Sequence, residues 1–138
     1  MAVTQPTLLL LGALLAFPTA EADFSESPAA VDGATTINVD EAWNLFRHGA
    51  VFVDVRMAKA FDSGRIPGAV NLALKHQFTQ PNLSLHARPE QPVVVYCGGP
   101  HCPLSAKATG KAVSWGYQHL FYFREGLPGW KKAGYPVE

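Results

Sequence analysis

Two stretches of the chain, Val51-Phe52-Val53-Asp54-Val55 and Val93-Val94-Val95-Tyr96, are nearly unbroken runs of β-branched and aromatic residues. Runs without apolar–polar alternation belong to strands covered on both faces, as in a parallel sheet. Ala69 to Leu72 and Leu120 to Phe123 predict two further strands. Between the runs the period changes. Asn38 followed by Glu41 has the form of a helix N-cap with its reciprocal partner, and Ala42, Leu45 and Phe46 then share a face before Gly49. Met57 to Ser63 predicts a short helix, and Leu104 to Trp115 a longer one with Leu104, Ala108, Ala112 and Trp115 at helical spacing and Gly116 as its C-cap. Strands alternating with helices predict a single α/β domain with a small, mostly parallel sheet flanked by helices, whose sites lie beyond the carboxyl ends of the strands. Phe78 to Pro92 carries three prolines and is expected to be largely loop. Asp23 to Thr35 has no apolar period and is expected to be a flexible lead-in, so that the domain spans residues 36–138. Trp115, Phe121, Phe123 and Trp130 are read as core aromatics.

The amino terminus follows another logic. Leu8 to Phe17 is an uninterrupted run of apolar residues and Gly, and Ala20-Glu21-Ala22 closes the stretch after it. This reads as a signal peptide over residues 1–22 with cleavage after Ala22, although Met1 to Thr7 supplies no Lys or Arg. The run has about half the ~20 residues a membrane-spanning helix needs, so no membrane anchor is expected after cleavage. No Cys stands near the cleavage position to take a lipid. A periplasmic or secreted location follows, where thiols meet an oxidising environment.

Composition narrows the chemistry. Of the 138 residues 48% are hydrophobic and 16% charged, which excludes a disordered chain and suits one core. Eleven Lys and Arg balance eleven Asp and Glu, so no basic excess is available to neutralise a nucleic-acid backbone, and nucleic acid is not expected as a partner. Only two cysteines are present, Cys97 and Cys102. They are too few for a four-thiolate zinc site, and a set built from Cys97, His101 and Cys102 lacks a fourth ligand, so no metal is expected.

The segment Val93 to Ser105 joins these lines. A buried strand delivers Cys97 to the turn Cys97-Gly98-Gly99-Pro100-His101-Cys102, which runs into a helix opening near Pro103. Amides of such a turn and the positive end of the helix can surround a sulfur anion, and Gly98 and Gly99 allow the close approach and positive φ this needs. Pro100 and Pro103 each remove a donor. The expectation is that Cys97 is more acidic than an ordinary thiol. The alternative is an inert buried thiol at a strand end.

At these residues the chain resembles the rhodanese-like family. Asp54-Val55-Arg56 resembles the family's D-x-R strand end, Gly64-Arg65-Ile66-Pro67-Gly68-Ala69-Val70-Asn71 its G-H-I-P-G-A-x-N segment, and Val95-Tyr96-Cys97 its strand into the active cysteine. Gly126-Leu127-Pro128-Gly129-Trp130 and Ala133-Gly134-Tyr135-Pro136-Val137 are similar to its terminal pieces. The resemblance implies an enzyme whose cysteine, here Cys97, accepts sulfane sulfur from a small-molecule or protein donor such as thiosulfate and passes it to a thiol acceptor. It implies no metal or organic cofactor, and a monomer is expected.

One departure matters. The family's common loop has an Arg five residues after the cysteine. Here Cys102 stands there, and residues 98–106 hold no Lys or Arg. Thiosulfate is therefore expected to turn over weakly, and a C-x5-R phosphatase is excluded by Pro103. Three readings of the thiols remain. Cys102 attacks a Cys97 persulfide, or the two cycle as a dithiol redox couple, or they form a structural disulfide worth about 2 kcal/mol for so short a loop. A noncatalytic binding module is a further alternative. Substrate-binding candidates are Gly98, Gly99, His101, Arg56 and Asp54. Arg56 is read either as the charge missing from the loop or as half of a structural ion pair with Asp54, and His101 either as a proton carrier or as a loop side chain without a role.

Overall fold

The computed structural model describes residues 26–138, together with residues 2–4, 12, 13, 15 and 16. The expected signal peptide lies for the most part outside the described residues, as does its cleavage position. Among the described residues no helix is long and apolar enough to cross a membrane.

Among the described residues five strands and five helices alternate. They are β1 (Thr35–Thr36), α1 (Val39–Arg47), β2 (Val51–Asp54), α2 (Ala58–Asp62), β3 (Val70–Asn71), α3 (Gln80–Ser84), β4 (Val93–Tyr96), α4 (Leu104–Ser114), β5 (Leu120–Phe123) and α5 (Gly126–Lys132). The strands form one sheet in the order β1-β5-β4-β2-β3, with every pairing parallel. The fold is thus the α/β class the periodicity predicts.

The unbroken run of β4 has a direct cause. Val93, Val95 and Cys97 face one core with Ala108 and Ala112 of α4 and Leu83 of α3. Val94 and Tyr96 face the opposite core with Ala42 of α1 and Leu127 and Trp130 of α5. Every residue of the strand meets apolar side chains, so the sequence shows no polar alternation. Trp130 is fully buried and packs against Trp43, Phe46 and Phe52 at centroid distances of 5.4 to 6.0 Å. Trp115 is half-buried and stacks on Phe78. The capping box of α1 is formed in both directions, Glu41 N–H donating to Asn38 Oδ1 at 2.8 Å and Asn38 N–H to Glu41 Oε1 at 3.2 Å.

Two expectations need correction, and one helix was not foreseen. Within the stretch expected as loop, Gln80–Ser84 forms α3: Thr79 caps it through Asn82 N–H, and Pro81 is tolerated because it sits in the first turn, where an N–H has no helical partner. Gly126–Lys132, for which no helix was expected, forms α5. The segment expected as a flexible lead-in is tied to the domain from Ser27 onward. Thr35 and Thr36 pair with Phe121 and Tyr122 as β1. Tyr122 Oη donates to Pro28 O at 2.9 Å, Arg124 donates to Ser27 O through Nε and Nη2, and Ser27 is buried. The backbone groups of this segment find partners on the sheet edge and beside β5, which fixes a stretch that has no apolar period of its own.

Candidate active site

The parallel register aligns Asp54 with Tyr96 and Tyr96 with Phe123, so β2, β4 and β5 end side by side. Cys97, Arg56 and the start of α5 therefore meet at one carboxyl edge of the sheet, where parallel α/β domains carry their sites. Cys97 is only 1% exposed. Its carbonyl accepts Leu127 N–H at 3.1 Å, and Cys102 N–H closes the turn onto Gly99 O at 3.0 Å. Gly99 has φ +114°, outside the range of side-chain-bearing residues, whereas Gly98 does not have positive φ. Gly126 (φ +60°) is needed for a second reason: a Cβ there would run into Cys97 O and Gly99 N. The loop is also held from the amino-terminal side, because Ser27 N–H and Ser27 Oγ both donate to Pro100 O at 2.7 Å.

The Cys97 thiol lies 3.2 Å from the Cys102 carbonyl oxygen and 3.2 Å from Ser105 Oγ. Ser105, in the first turn of α4, is buried and positioned by Thr109, whose hydroxyl donates to Ser105 O at 2.7 Å. The two thiols have opposite acidities. Hydrogen bonding to the Cys102 sulfur holds the Cys97 proton in place and burial adds to this, so the Cys97 thiol is pushed up, against the pull of Ser105. Cys102 is lowered to about 6, first by the hydrogen bond from Cys97, then by the amides of Gly98 and Leu104 and the charge of Arg56, with burial opposing. The expectation that Cys97 is the acidified thiol is thus overturned. The anion cradle exists, but the turn aims the Gly98 and Leu104 amides at the second sulfur, which is also the more exposed one.

Asp54 is completely buried and accepts from Arg56 Nη2 at 2.7 Å, from Nε at 3.0 and 3.2 Å and from the Arg56 amide at 3.0 Å. Arg56 Nη2 also donates to Gly64 O at 2.7 Å. The Asn71 amide pins the same corner by donating to Asp54 O and Arg56 O. The structural ion pair is therefore present, and Asp54 sits behind it, away from any open surface. Arg56 nonetheless keeps 14% of its side chain exposed and lines a cleft of about 360 Å³ with Gly98, Leu127, Pro128 and Lys131. His101 lies on the exposed outer part of the loop. Among the described residues no group of three or more His, Cys, Asp or Glu is placed to hold a metal ion.

Sequence reasoning thus located Cys97, Cys102, Gly98, Gly99 and Arg56 at one site and missed Ser105, Leu127, Lys131 and Ser27. Only Ser105 carried a local signal, as a hydroxyl in the first turn of the helix that follows the loop. The others reach the site through tertiary packing.

A cysteine held in a tight loop between the central strand of a parallel sheet and the following helix places a thiol at the carboxyl edge of an α/β domain, and comparison with known proteins assigns that domain to a family. The family model described as "Rhodanese-like domain" matches residues 38–133, and the chain belongs to that family. It is 33% identical over 93 residues to the uncharacterized protein YibN of Escherichia coli strain K12, a match that covers 66% of this chain and 62% of that protein, so the chain spans less than two thirds of that relative. It is 28% identical over 102 residues to the thiosulfate sulfurtransferase GlpE of Haemophilus influenzae, covering 74% of this chain and 92% of that protein. Among solved structures, the polysulfide-sulfur transferase homodimer from Wolinella succinogenes shares the fold with a TM-score of 0.63 at 20% identity, over 77% of this chain and 79% of that one. The Alr3790 protein from Anabaena shares it with a TM-score of 0.65 at 22% identity, over 74% and 90%.

Proposed function

We propose that this protein is a sulfurtransferase that takes sulfane sulfur onto Cys97 as a persulfide and passes it to a thiol acceptor, with Cys102 as the partner thiol. The observation that most supports this reading is the placement of the thiols: Cys97, buried just after β4, lies 3.2 Å from Ser105 Oγ and 3.2 Å from the carbonyl oxygen of Cys102, the second thiol five residues on. Hydrogen bonding between the two thiols favours the proton on Cys97 and lowers Cys102. As the Cys97 sulfur attacks the sulfane sulfur of a donor, its proton passes to Cys102, the donor S–S bond breaks, and the bonding electrons leave with the donor remnant. For thiosulfate the remnant is sulfite. Ser105 then faces the new persulfide.

Delivery requires no oxidant. An acceptor thiolate attacks the outer sulfur, and the Cys97 thiolate leaves. In a competing branch the Cys102 thiolate attacks the Cys97 sulfur of the persulfide, hydrosulfide leaves, and the resulting disulfide is reopened by two equivalents of an external thiol. An acid thiol beside a buried one also supports a second reading, a dithiol–disulfide couple that carries no sulfur. Transfer of isotopically labelled sulfane sulfur to a small thiol acceptor separates the two. Labelled acceptor from the wild type and none from Cys97→Ser is expected, and disulfide exchange without labelled acceptor contradicts the transferase reading.

The proposal includes export. The apolar run of residues 8–17 followed by Ala20-Glu21-Ala22 supports a mature chain that begins at Asp23 in the periplasm or outside the cell. Amino-terminal sequencing of the native protein tests this, and a chain that still begins at Met1 or Ala2 contradicts it.

A further inference from the structure

The two sulfurs of the site are faced by different donors. Beyond the hydrogen bond from Cys97, Cys102 is served by the amides of Gly98 and Leu104. Hydrogen bonding to Cys102 and burial push the Cys97 thiol up, and the groups that pull it down are the hydroxyl and the amide of Ser105. Ser105 stands in the first turn of α4, where backbone amides have no helical acceptor of their own. One turn on, the Thr109 hydroxyl donates to Ser105 O at 2.7 Å and holds that residue in place. Ser105 and Thr109 are buried, and the rest of the buried face of α4 is alanine, at Ala106, Ala108 and Ala112.

The charge on Cys97 decides what its neighbours can do. Its sulfur lies 3.2 Å from two oxygens, Cys102 O and Ser105 Oγ. A carbonyl oxygen only accepts, so Cys102 O favours a protonated thiol and opposes a thiolate. A hydroxyl accepts or donates according to how its hydrogen is turned. Of the two oxygens, Ser105 Oγ alone can follow the sulfur from thiol to thiolate. Cys97 is 1% exposed, and a buried charge without a donor is costly.

In the persulfide cycle that charge arises at one step. When an acceptor attacks the outer sulfur, the bond from that atom to Cys97 Sγ breaks. The bonding electrons stay on Cys97 Sγ, and a proton returns to it through Cys102. When Cys102 attacks Cys97 Sγ instead, the electrons leave on the outer sulfur as hydrosulfide, about 2.05 Å further on, and Cys97 Sγ stays neutral in the disulfide.

We propose that the Ser105 hydroxyl is a catalytic donor to the Cys97 sulfur as that sulfur departs, and that it thereby favours delivery of the persulfide to an acceptor over internal release of hydrosulfide. The assignment rests on the persulfide reading of Cys97 and adds the residue that selects between its two branches.

The test is a product partition on the full chain. Sulfur is loaded from isotopically labelled inorganic polysulfide, excess donor is removed by rapid desalting, and cyanide is added as the acceptor. Cyanide takes the outer sulfur as thiocyanate, which counts delivery, whereas hydrosulfide together with the Cys97–Cys102 disulfide counts internal release. Ser105→Ala is expected to load within about threefold of the wild type and to deliver about tenfold more slowly, as for loss of one hydrogen bond to a charged group. The ratio of thiocyanate to hydrosulfide then falls by the same factor. Ser105→Thr, which keeps the hydroxyl, is expected to restore the ratio. In Cys102→Ser, where the internal branch is closed, adding Ser105→Ala is expected to slow delivery equally without hydrosulfide appearing. A merely structural role for Ser105 would slow loading and delivery together and leave the ratio unchanged. That result, or a ratio in Ser105→Thr no better than in Ser105→Ala, overturns the assignment and leaves the persulfide reading intact. A wild type that never gains the mass of one sulfur on Cys97 refutes the persulfide reading, and the assignment with it.

Discussion

Cys102, lowered to about 6, is expected to react in its thiolate form at pH values where ordinary thiols are protonated. At pH 7 about nine tenths of it is ionised, against roughly 3% of a thiol with a pKa of about 8.5. That roughly thirtyfold advantage does not pass fully into rate, because intrinsic nucleophilicity falls with basicity. With a Brønsted coefficient of about 0.45, a thiolate less basic by about 2.5 units attacks a disulfide roughly tenfold more slowly. The net gain at pH 7 is only about twofold to threefold. At pH 6 the ionised fractions are about one half and about 0.3%, and the net gain becomes roughly tenfold. The assay is therefore reaction with a small aromatic disulfide across pH 5 to 9, followed by peptide mapping of the modified cysteine. The rate at Cys102 is expected to rise with pH through a midpoint near 6 and then to level off, with Cys97 modified later. The largest cause of the lowering is the hydrogen bond from Cys97, so Cys97→Ala should move the midpoint up, while Cys97→Ser, which keeps a donor, should move it less. A wild-type midpoint at or above about 8.5, or modification of Cys97 before Cys102 at pH 6, refutes the assignment of acidities.

Gly126→Ala should cost more than the about 1 kcal/mol expected from an ordinary strained backbone, because its Cβ meets Cys97 O and Gly99 N as well as a φ of +60°. Urea unfolding should show the destabilisation, with sulfur transfer lost even where the protein stays folded. Ser27→Ala removes one of the two bonds to Pro100 O and should destabilise by about 1 kcal/mol, seen in urea unfolding, and should speed amide exchange in the loop more than in α1. An unaltered loop exchange rate would show that the amino-terminal segment does not hold the active loop. Trp130→Ala should cost about 3 to 5 kcal/mol, because the fully buried ring touches side chains from α1 and β2, and its Nε1 donates to Pro136 O at 2.7 Å.

The parts of the fold that were legible are those where the period of the sequence matches the number of covered faces. β2 and β4 are apolar throughout because helices cover both sides, and α1 announces itself through Asn38 and Glu41. β1 was illegible because two exposed threonines become a strand only when β5 offers them an edge. In α5 two glycines and a proline hide the helix, and in α3 Pro81 suggested a loop although it occupies a position where proline is compatible with helix. In the site, Cys97 and Gly99 were legible from the strand–turn–helix pattern. The acidity of Cys102 was not, since it depends on where the Gly98 and Leu104 amides point after two prolines have shaped the turn. Lys131 was invisible as a cleft-lining residue because only the packing of α5 against the strand ends brings it within reach of Gly64.

The central claim, that Cys97 carries transferable sulfur, is tested most directly by a mass-resolved time course of sulfur loading. Wild type, Cys97→Ser and Cys102→Ser are treated with a persulfide donor, blocked at intervals, and the added mass of about 32 units for one sulfur atom is assigned by peptide mapping. Transient loading of Cys97 is expected in the wild type, longer retention of that sulfur in Cys102→Ser, where the internal attacking thiol is gone, and no stable loading of Cys97→Ser. Undiminished loading of Cys97→Ser would contradict it, and equal retention in the wild type and Cys102→Ser would remove Cys102 from the exchange.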